Sequence, residues 1–141
     1  MDIKKVVVIG SGTMGSGIAA HLCNAKIPVT LLDLTTDISE KARDRIFRSK
    51  PPLLLDKLQI ENIKVGNIND NFDVVKEADW VVEAVVERID IKHSIYEKIF
   101  NNRKAGAIVS SNTSSIPIKV LSEKLTEEEK KDFCITHFFN P

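Results

Sequence analysis

Residues 6–20 read VVVIGSGTMGSGIAA. Val6, Val7, Val8 and Ile9 form a short β-branched run, and a turn of glycines cuts it off. Gly10, Gly12 and Gly15 stand as G-x-G-x-x-G. Met14, Ile18 and Leu22 then recur every four residues, which puts one apolar face on a helix. The order is strand, glycine turn, helix, and in that order each glycine has its own task. Gly10 permits the tight turn. Gly12 leaves no side chain where a pyrophosphate must approach the backbone. Gly15 lets the helix lie close on the strand. The first helical residues, Thr13 and Met14, lie where free N–H groups and a partial positive charge meet phosphates. Standing alone, the same spacing is also compatible with a structural turn in some α/β protein.

The next segment decides between these readings. Residues 28–32 (PVTLL) form a second apolar run, and Asp33 ends it eighteen residues after Gly15. A carboxylate there is placed to accept hydrogen bonds from the adenosine ribose hydroxyls. It also repels a 2′-phosphate, and no arginine follows: Leu34, Thr35 and Thr36 come next. The pattern therefore predicts a dinucleotide site for NAD rather than NADP.

The bulk composition narrows the class. A length of 141 residues suits one domain with its own core. Twenty basic and twenty acidic residues give a net charge of +0, which argues against a nucleic-acid partner. The longest apolar runs are far short of a membrane span. Two lysines precede the first apolar run, but that run is too short for a secretory h-region and feeds straight into the glycine turn. Cys23 and Cys134 suggest no disulfide framework, and each is expected as a buried free thiol. The expected compartment is reducing: the cytoplasm of a bacterium, or the mitochondrial matrix in a eukaryote.

The remaining chain alternates between short apolar runs and amphipathic stretches. Residues 37–50 predict a helix striped by Ile38, Ala42, Ile46 and Phe47 and ended by Pro51 and Pro52. Leu53, Leu54 and Leu55 are ambiguous between a loop and a short helical turn. Strands are expected over 63–65, 80–86, 107–110 and 133–138, and helices over 72–78, 89–100 and 117–125. Residues 127–131 (EEEKK) read as a solvated charged turn. Six strands alternating with helices imply a doubly wound parallel sheet, most simply ordered 3-2-1-4-5-6.

Three histidines are candidates for chemistry. His21 and His93 fall on helices and read as surface or packing residues. His137 falls at the carboxyl end of the last strand, beside the crevice where such sheets hold ligands. It reads either as a structural residue or as a general base, since an ordinary imidazole pKa of about 6.5 suits proton abstraction near neutral pH. Residues 110–115 (SSNTSS) follow a strand. Ser114 or Ser115 could cap the helix after Pro117, or the cluster could hydrogen-bond a substrate oxygen. Glu83, inside the apolar run WVVEAVV, reads as a strand-end carboxylate meeting solvent at the same edge. No metal-ligand spacing is visible.

Five segments together resemble the 3-hydroxyacyl-CoA dehydrogenases: VVVIGSGTMGSGIA, Asp33, ADWVVEAVVE, SSNTSSI and THFFNP, in the family's order across nearly the whole chain. The resemblance implies that Gly10, Gly12, Gly15 and Asp33 serve the adenosine and pyrophosphate. Ala84, Glu87, Lys92, Ser114 and Asn140 correspond to residues at the ribose and nicotinamide end. His137 matches the family's catalytic base and Ser114 the hydroxyl that steadies the substrate oxygen, while Asn112 shapes the same loop. The family pairs its histidine with a glutamate shortly downstream and closes the acyl-CoA site with a helical second domain, through which it dimerises. Residues 1–141 are expected to be the NAD-binding domain without that second domain, monomeric by themselves and weakly active or inactive. Residues 48–66 are shorter than the paired helices of small members and look more like a long, multidomain dehydrogenase. A 3-hydroxybutyryl-CoA or other hydroxy-acid dehydrogenase on the same scaffold is an alternative. A non-catalytic dinucleotide-binding module is another, which would need no base at position 137.

Overall fold

The computed structural model describes residues 2–138. Among them, six strands form one sheet: β1 (Val6–Ile9), β2 (Val29–Asp33), β3 (Ile63–Asn67), β4 (Trp80–Glu83), β5 (Ile108–Ser111) and β6 (Phe133–Ile135). Their order is β3-β2-β1-β4-β5-β6, and every neighbouring pair is parallel. This is the doubly wound order expected from the alternation. It reverses direction between β1 and β4, so a crevice opens at the carboxyl ends of those strands.

The strands read as unbroken apolar runs because both faces are covered. Val6 and Val8 of β1 pack on one side with Ile18, Ala42 and Ile46, from α1 (Thr13–Asn24) and α2 (Thr36–Arg48). Val7 and Ile9 pack on the other with Ile95, Tyr96 and Ile99 of α3 (Ile89–Asn102). The alternation of side chains along a strand thus splits one short run between two cores. In register, Ile9 pairs with Glu83 and Glu83 with Ser111, so the chain leaves β1, β4 and β5 at one level beside the crevice.

Several segments differ from the sequence expectation. The second helix starts at Thr36, capped by the Thr35 hydroxyl accepting from the Ile38 amide at 3.2 Å, and stops at Arg48 ahead of the prolines. The helix expected over 117–125 is a single turn, α4 (Ile118–Leu121). The Ser122 hydroxyl donates back to the Ile118 carbonyl at 2.8 Å, and the chain leaves the helix there. The expected charged turn is itself helical, α5 (Glu127–Lys130). Thr126 and Glu129 form a reciprocal capping box at its start. β4 ends at Glu83 rather than 86, because the Glu83 carboxylate takes the Val85 amide out of the ladder. β6 ends at Ile135 rather than 138, and the Phe138 amide donates to the Asn112 side chain instead. Residues 53–55 join no regular element. The Asn24 side chain bridges the Leu53 carbonyl and the Leu55 amide, and a 3₁₀ helix, Lys57–Asn62, follows. The segment Phe72–Glu77 is also 3₁₀ rather than α-helical. Cys23 is buried and Cys134 half-buried, both free. Among the described residues no helix is long and apolar enough to cross a membrane.

Candidate functional site

The three glycines of the first turn meet three different surroundings. Gly10 has φ +102, and a Cβ on it would lie 2.4 Å from the Ala84 carbonyl oxygen. A Cβ on Gly15 would lie 1.8 Å from the Gly10 carbonyl oxygen, so α1 rests directly on the turn. Gly12 is different. Its φ of -70 and ψ of -166 suit any residue, and a Cβ there would meet nothing within 4 Å. Nothing in the chain itself calls for glycine at position 12. The open space stands at the start of α1, where Gly12 is the N-cap without a side-chain hydrogen bond. Such a cradle of bare backbone and unpaired amides fits a phosphate group.

Asp33 stands at the end of β2 beside that cradle. One of its oxygens accepts both the Ser11 amide, at 2.8 Å, and the Ser11 hydroxyl. The other accepts the Leu34 amide at 2.7 Å. The Ser11 carbonyl in turn receives the Ser16 hydroxyl and the Arg45 guanidinium, at 2.9 and 3.2 Å. The glycine turn is therefore stitched to β2, α1 and α2 at once.

A cleft of about 700 Å³ runs along the crevice. Its size lies within the range of small-molecule sites. Gly10, Gly12, Thr13, Met14 and Asp33 line one end, and Ala84 and Glu87 the middle. Asn112, Ser114 and His137 line the other. Ten residues of the expected site thus converge on one cleft, with two exceptions among the described positions. Gly15 lies beneath the turn, and Lys92 is sealed from solvent. Asn140 lies outside the described residues. Val85, Val86, Ile91 and Ile95 add an apolar wall that is not among the expected site residues.

Glu83 corrects the sequence reading most sharply. It does not meet solvent: it is 0% exposed. Its Oε1 accepts the Tyr96 and Ser111 hydroxyls, both at 2.6 Å, and its Oε2 accepts the Lys92 ammonium at 2.6 Å and the Val85 amide at 2.8 Å. Lys92 and Tyr96 stand one turn apart on α3 and so face the same way, toward β4. Burial, and then the Glu83 charge, push the Tyr96 hydroxyl well above its usual range, so it stays protonated and donates. Lys92 also reaches Glu87 at 3.1 Å. Burial alone would raise the Glu87 carboxyl, but hydrogen bonds from Thr113 and Lys92 outweigh it and hold that carboxyl below the usual range. Glu87 accepts the Thr113 hydroxyl at 2.6 Å and the Ser115 hydroxyl at 3.0 Å. Ser115 is therefore not a helix cap, and Pro117 occupies the N-cap of α4 instead. Tyr96, Ser111 and Thr113 were missed as site residues. Their only sequence signal was the four-residue spacing from Lys92 to Tyr96 and the hydroxyl cluster itself.

His137 is exposed at the far end of the cleft, between two tethers. The Thr136 amide donates to the Ser111 carbonyl at 3.1 Å and the Phe138 amide to Asn112 Oδ1 at 3.0 Å. Asn112 thus holds the backbone on one side of the imidazole. His21 packs edge-on against Phe138, and His93 contacts the Val120 carbonyl, so neither faces the cleft. No group of three metal-ligating side chains occurs among the described residues.

Comparison with known proteins agrees with this geometry. Residues 5–141 match the family model described as "3-hydroxyacyl-CoA dehydrogenase, NAD binding domain". The chain is 42% identical to a Rickettsia felis protein named a candidate fatty acid oxidation complex trifunctional enzyme, covering 99% of this chain and 20% of that protein. It is 41% identical to a Bacillus subtilis protein named a probable 3-hydroxyacyl-CoA dehydrogenase, again covering 99% of this chain and 20% of the relative. A crystal structure of 3-hydroxybutyryl-CoA dehydrogenase from Escherichia coli K12 superposes with a TM-score of 0.85 at 27% identity, over 100% of this chain and 30% of that one. The chain spans about a fifth of the length of these two curated relatives. The glycine turn, Asp33 and the cleft fit NAD, and the chain belongs to the family of NAD-binding domains of the 3-hydroxyacyl-CoA dehydrogenases.

Proposed function

We propose that this chain supplies the NAD-binding half of an enzyme that oxidises (3S)-3-hydroxyacyl-CoA to 3-ketoacyl-CoA in fatty-acid β-oxidation. The observation that carries the reading is the cleft itself. Gly12 and Asp33 line one end, and Ser114 and His137 the other. NAD, when bound, supplies the hydride acceptor. Gly12 and the start of α1 take its pyrophosphate, and Asp33 accepts from the adenosine ribose hydroxyls. His137 takes the proton of the substrate 3-hydroxyl, and Ser114 hydrogen-bonds the same oxygen as it becomes a carbonyl. A helical second domain completes the acyl-CoA site and carries the dimer contact. We place the enzyme in the bacterial cytoplasm, in keeping with its two free thiols and bacterial relatives.

A short-chain preference, for 3-hydroxybutyryl-CoA, is the second reading, favoured by the Escherichia coli neighbour. The test uses the full-length protein with NAD and a series of (3S)- and (3R)-hydroxyacyl-CoA thioesters of increasing length, following NADH. Turnover of the (3S) series, lowered about 10²–10⁴-fold by His137→Ala with NAD binding retained, is the expected result. NAD binding without any hydride transfer would leave only the non-catalytic module.

A further inference from the structure

We propose that Glu83 is a positioning residue that clamps the loop carrying Asn112 and Ser114, through Lys92 and Glu87, and thereby sets the affinity of the nicotinamide half of the cofactor. This rests on the reading of the cleft given above.

The loop after β5 is held at both ends by carboxylates. The residue that leads into it, Ser111 at the end of β5, donates to Glu83 Oε1 at 2.6 Å. Thr113 and Ser115, the two neighbours of Ser114, both donate to Glu87 Oε2. Lys92 joins the two anchors, at 2.6 Å from Glu83 and 3.1 Å from Glu87. Asn112 and Ser114 are the residues between these ties, and both line the cleft.

The buried end of this arrangement is saturated. Four donors from β4's exit, α3 and β5 converge on the two Glu83 oxygens. No buried side-chain polar atom among the described residues lacks a partner. An apolar pair of similar volume can replace a buried ion pair without loss of stability. What an apolar pair cannot do is hold Lys92 at a fixed distance from Glu87, whose side chain is 41% exposed at the cleft. Lys92 is 0% exposed, so it acts through Glu87 rather than by touching the cofactor. In a doubly wound sheet the adenosine lies over the β1–β3 half, where Asp33 stands, and the other mononucleotide lies over the β4–β6 half. The clamp lies wholly in that second half.

The test is calorimetric titration of the full chain with NAD and, separately, with ADP, which carries the adenosine and both phosphates but no nicotinamide riboside. Glu83→Gln is expected to raise the Kd for NAD about tenfold, as fits the loss of charge-assisted bonds, and to leave that for ADP within about threefold. The double variant Thr113→Val/Ser115→Ala cuts Glu87 from the loop without touching the buried pair, and should show the same selective loss even if Glu83→Gln does not fold. Equal weakening of both ligands would mean general loosening and would overturn the proposal, as would no change in either. An unaltered chain that binds ADP but gains nothing from the nicotinamide riboside would overturn it too, while leaving the adenosine site standing. An unaltered chain that binds neither would bring down the reading of the cleft and this proposal together.

Discussion

The amide and the hydroxyl of Ser11 both donate to one oxygen of Asp33, twenty-two positions along the chain. The carboxylate proposed to take the ribose hydroxyls is thus also the anchor of the glycine turn. Asp33→Ala should do two things at once. It frees two donors in the turn, and it removes the acceptor of the ribose hydroxyls. Loss of a hydrogen bond to a charged group is worth roughly 1.5–3 kcal/mol, about tenfold to hundredfold in Kd. Titration with NAD and NADP should show NAD binding falling by that factor, and the preference for NAD over NADP shrinking as the negative charge goes.

Gly12 and Gly15 separate the needs of the ligand from those of the fold. Gly15→Ala drives a methyl group into the Gly10 carbonyl, a backbone atom that cannot swing aside. We expect a loss of about 3 kcal/mol or more in denaturant unfolding. Gly12→Ala meets open space. It should change stability by only about 0.5 kcal/mol, yet weaken NAD about tenfold or more, because the methyl group would enter the space proposed for the pyrophosphate. Equal effects of the two changes on stability would contradict the assignment.

Lys92→Met removes the cation from a carboxylate that has no access to water. Breaking a buried pair costs roughly 3–5 kcal/mol. Tyr96, Ser111 and the Val85 amide still donate to Glu83, so the lower end, about 3 kcal/mol, is expected. Adding Glu83→Gln should restore part of that loss, since the orphaned charge is gone. Chemical unfolding of the two variants measures both numbers, and an additive double variant would refute the coupling.

Asp79 ties the segment before β1 to β4 and predicts an acid-sensitive step. Its carboxyl is held at about 2, first by the hydrogen bond from Lys104 and then by the Lys4 and Lys5 amides. The unfolded chain therefore binds this proton more readily than the folded one. The stability it contributes is fully present above pH 3.8 and is lost as pH falls toward 2. Asp79→Asn should flatten the stability profile over that window and leave the slope at higher pH unchanged, as read from urea midpoints at each pH.

Residues 6–33 carry their fold in local spacing: a β-branched run, three glycines at fixed offsets, a four-residue apolar repeat and a terminal carboxylate. Those are short-range properties, so the strand, glycine turn, helix and second strand could be read from them. Caps were legible less well, as the missed box of Thr126 and Glu129 shows, because a side chain and an amide three residues apart compete with solvent for the same bond. Glu83 was not legible at all. Its fate depends on Lys92, Tyr96 and Ser111, which come from two other elements and meet it only once α3 is docked on the sheet. The sequence by itself determined the doubly wound sheet and the glycine turn that opens it, because glycine conformation and apolar period act within a few residues. The tertiary structure alone decided which carboxylate faces solvent and which is buried, because a buried charge is tolerable only where donors from separate elements converge on it.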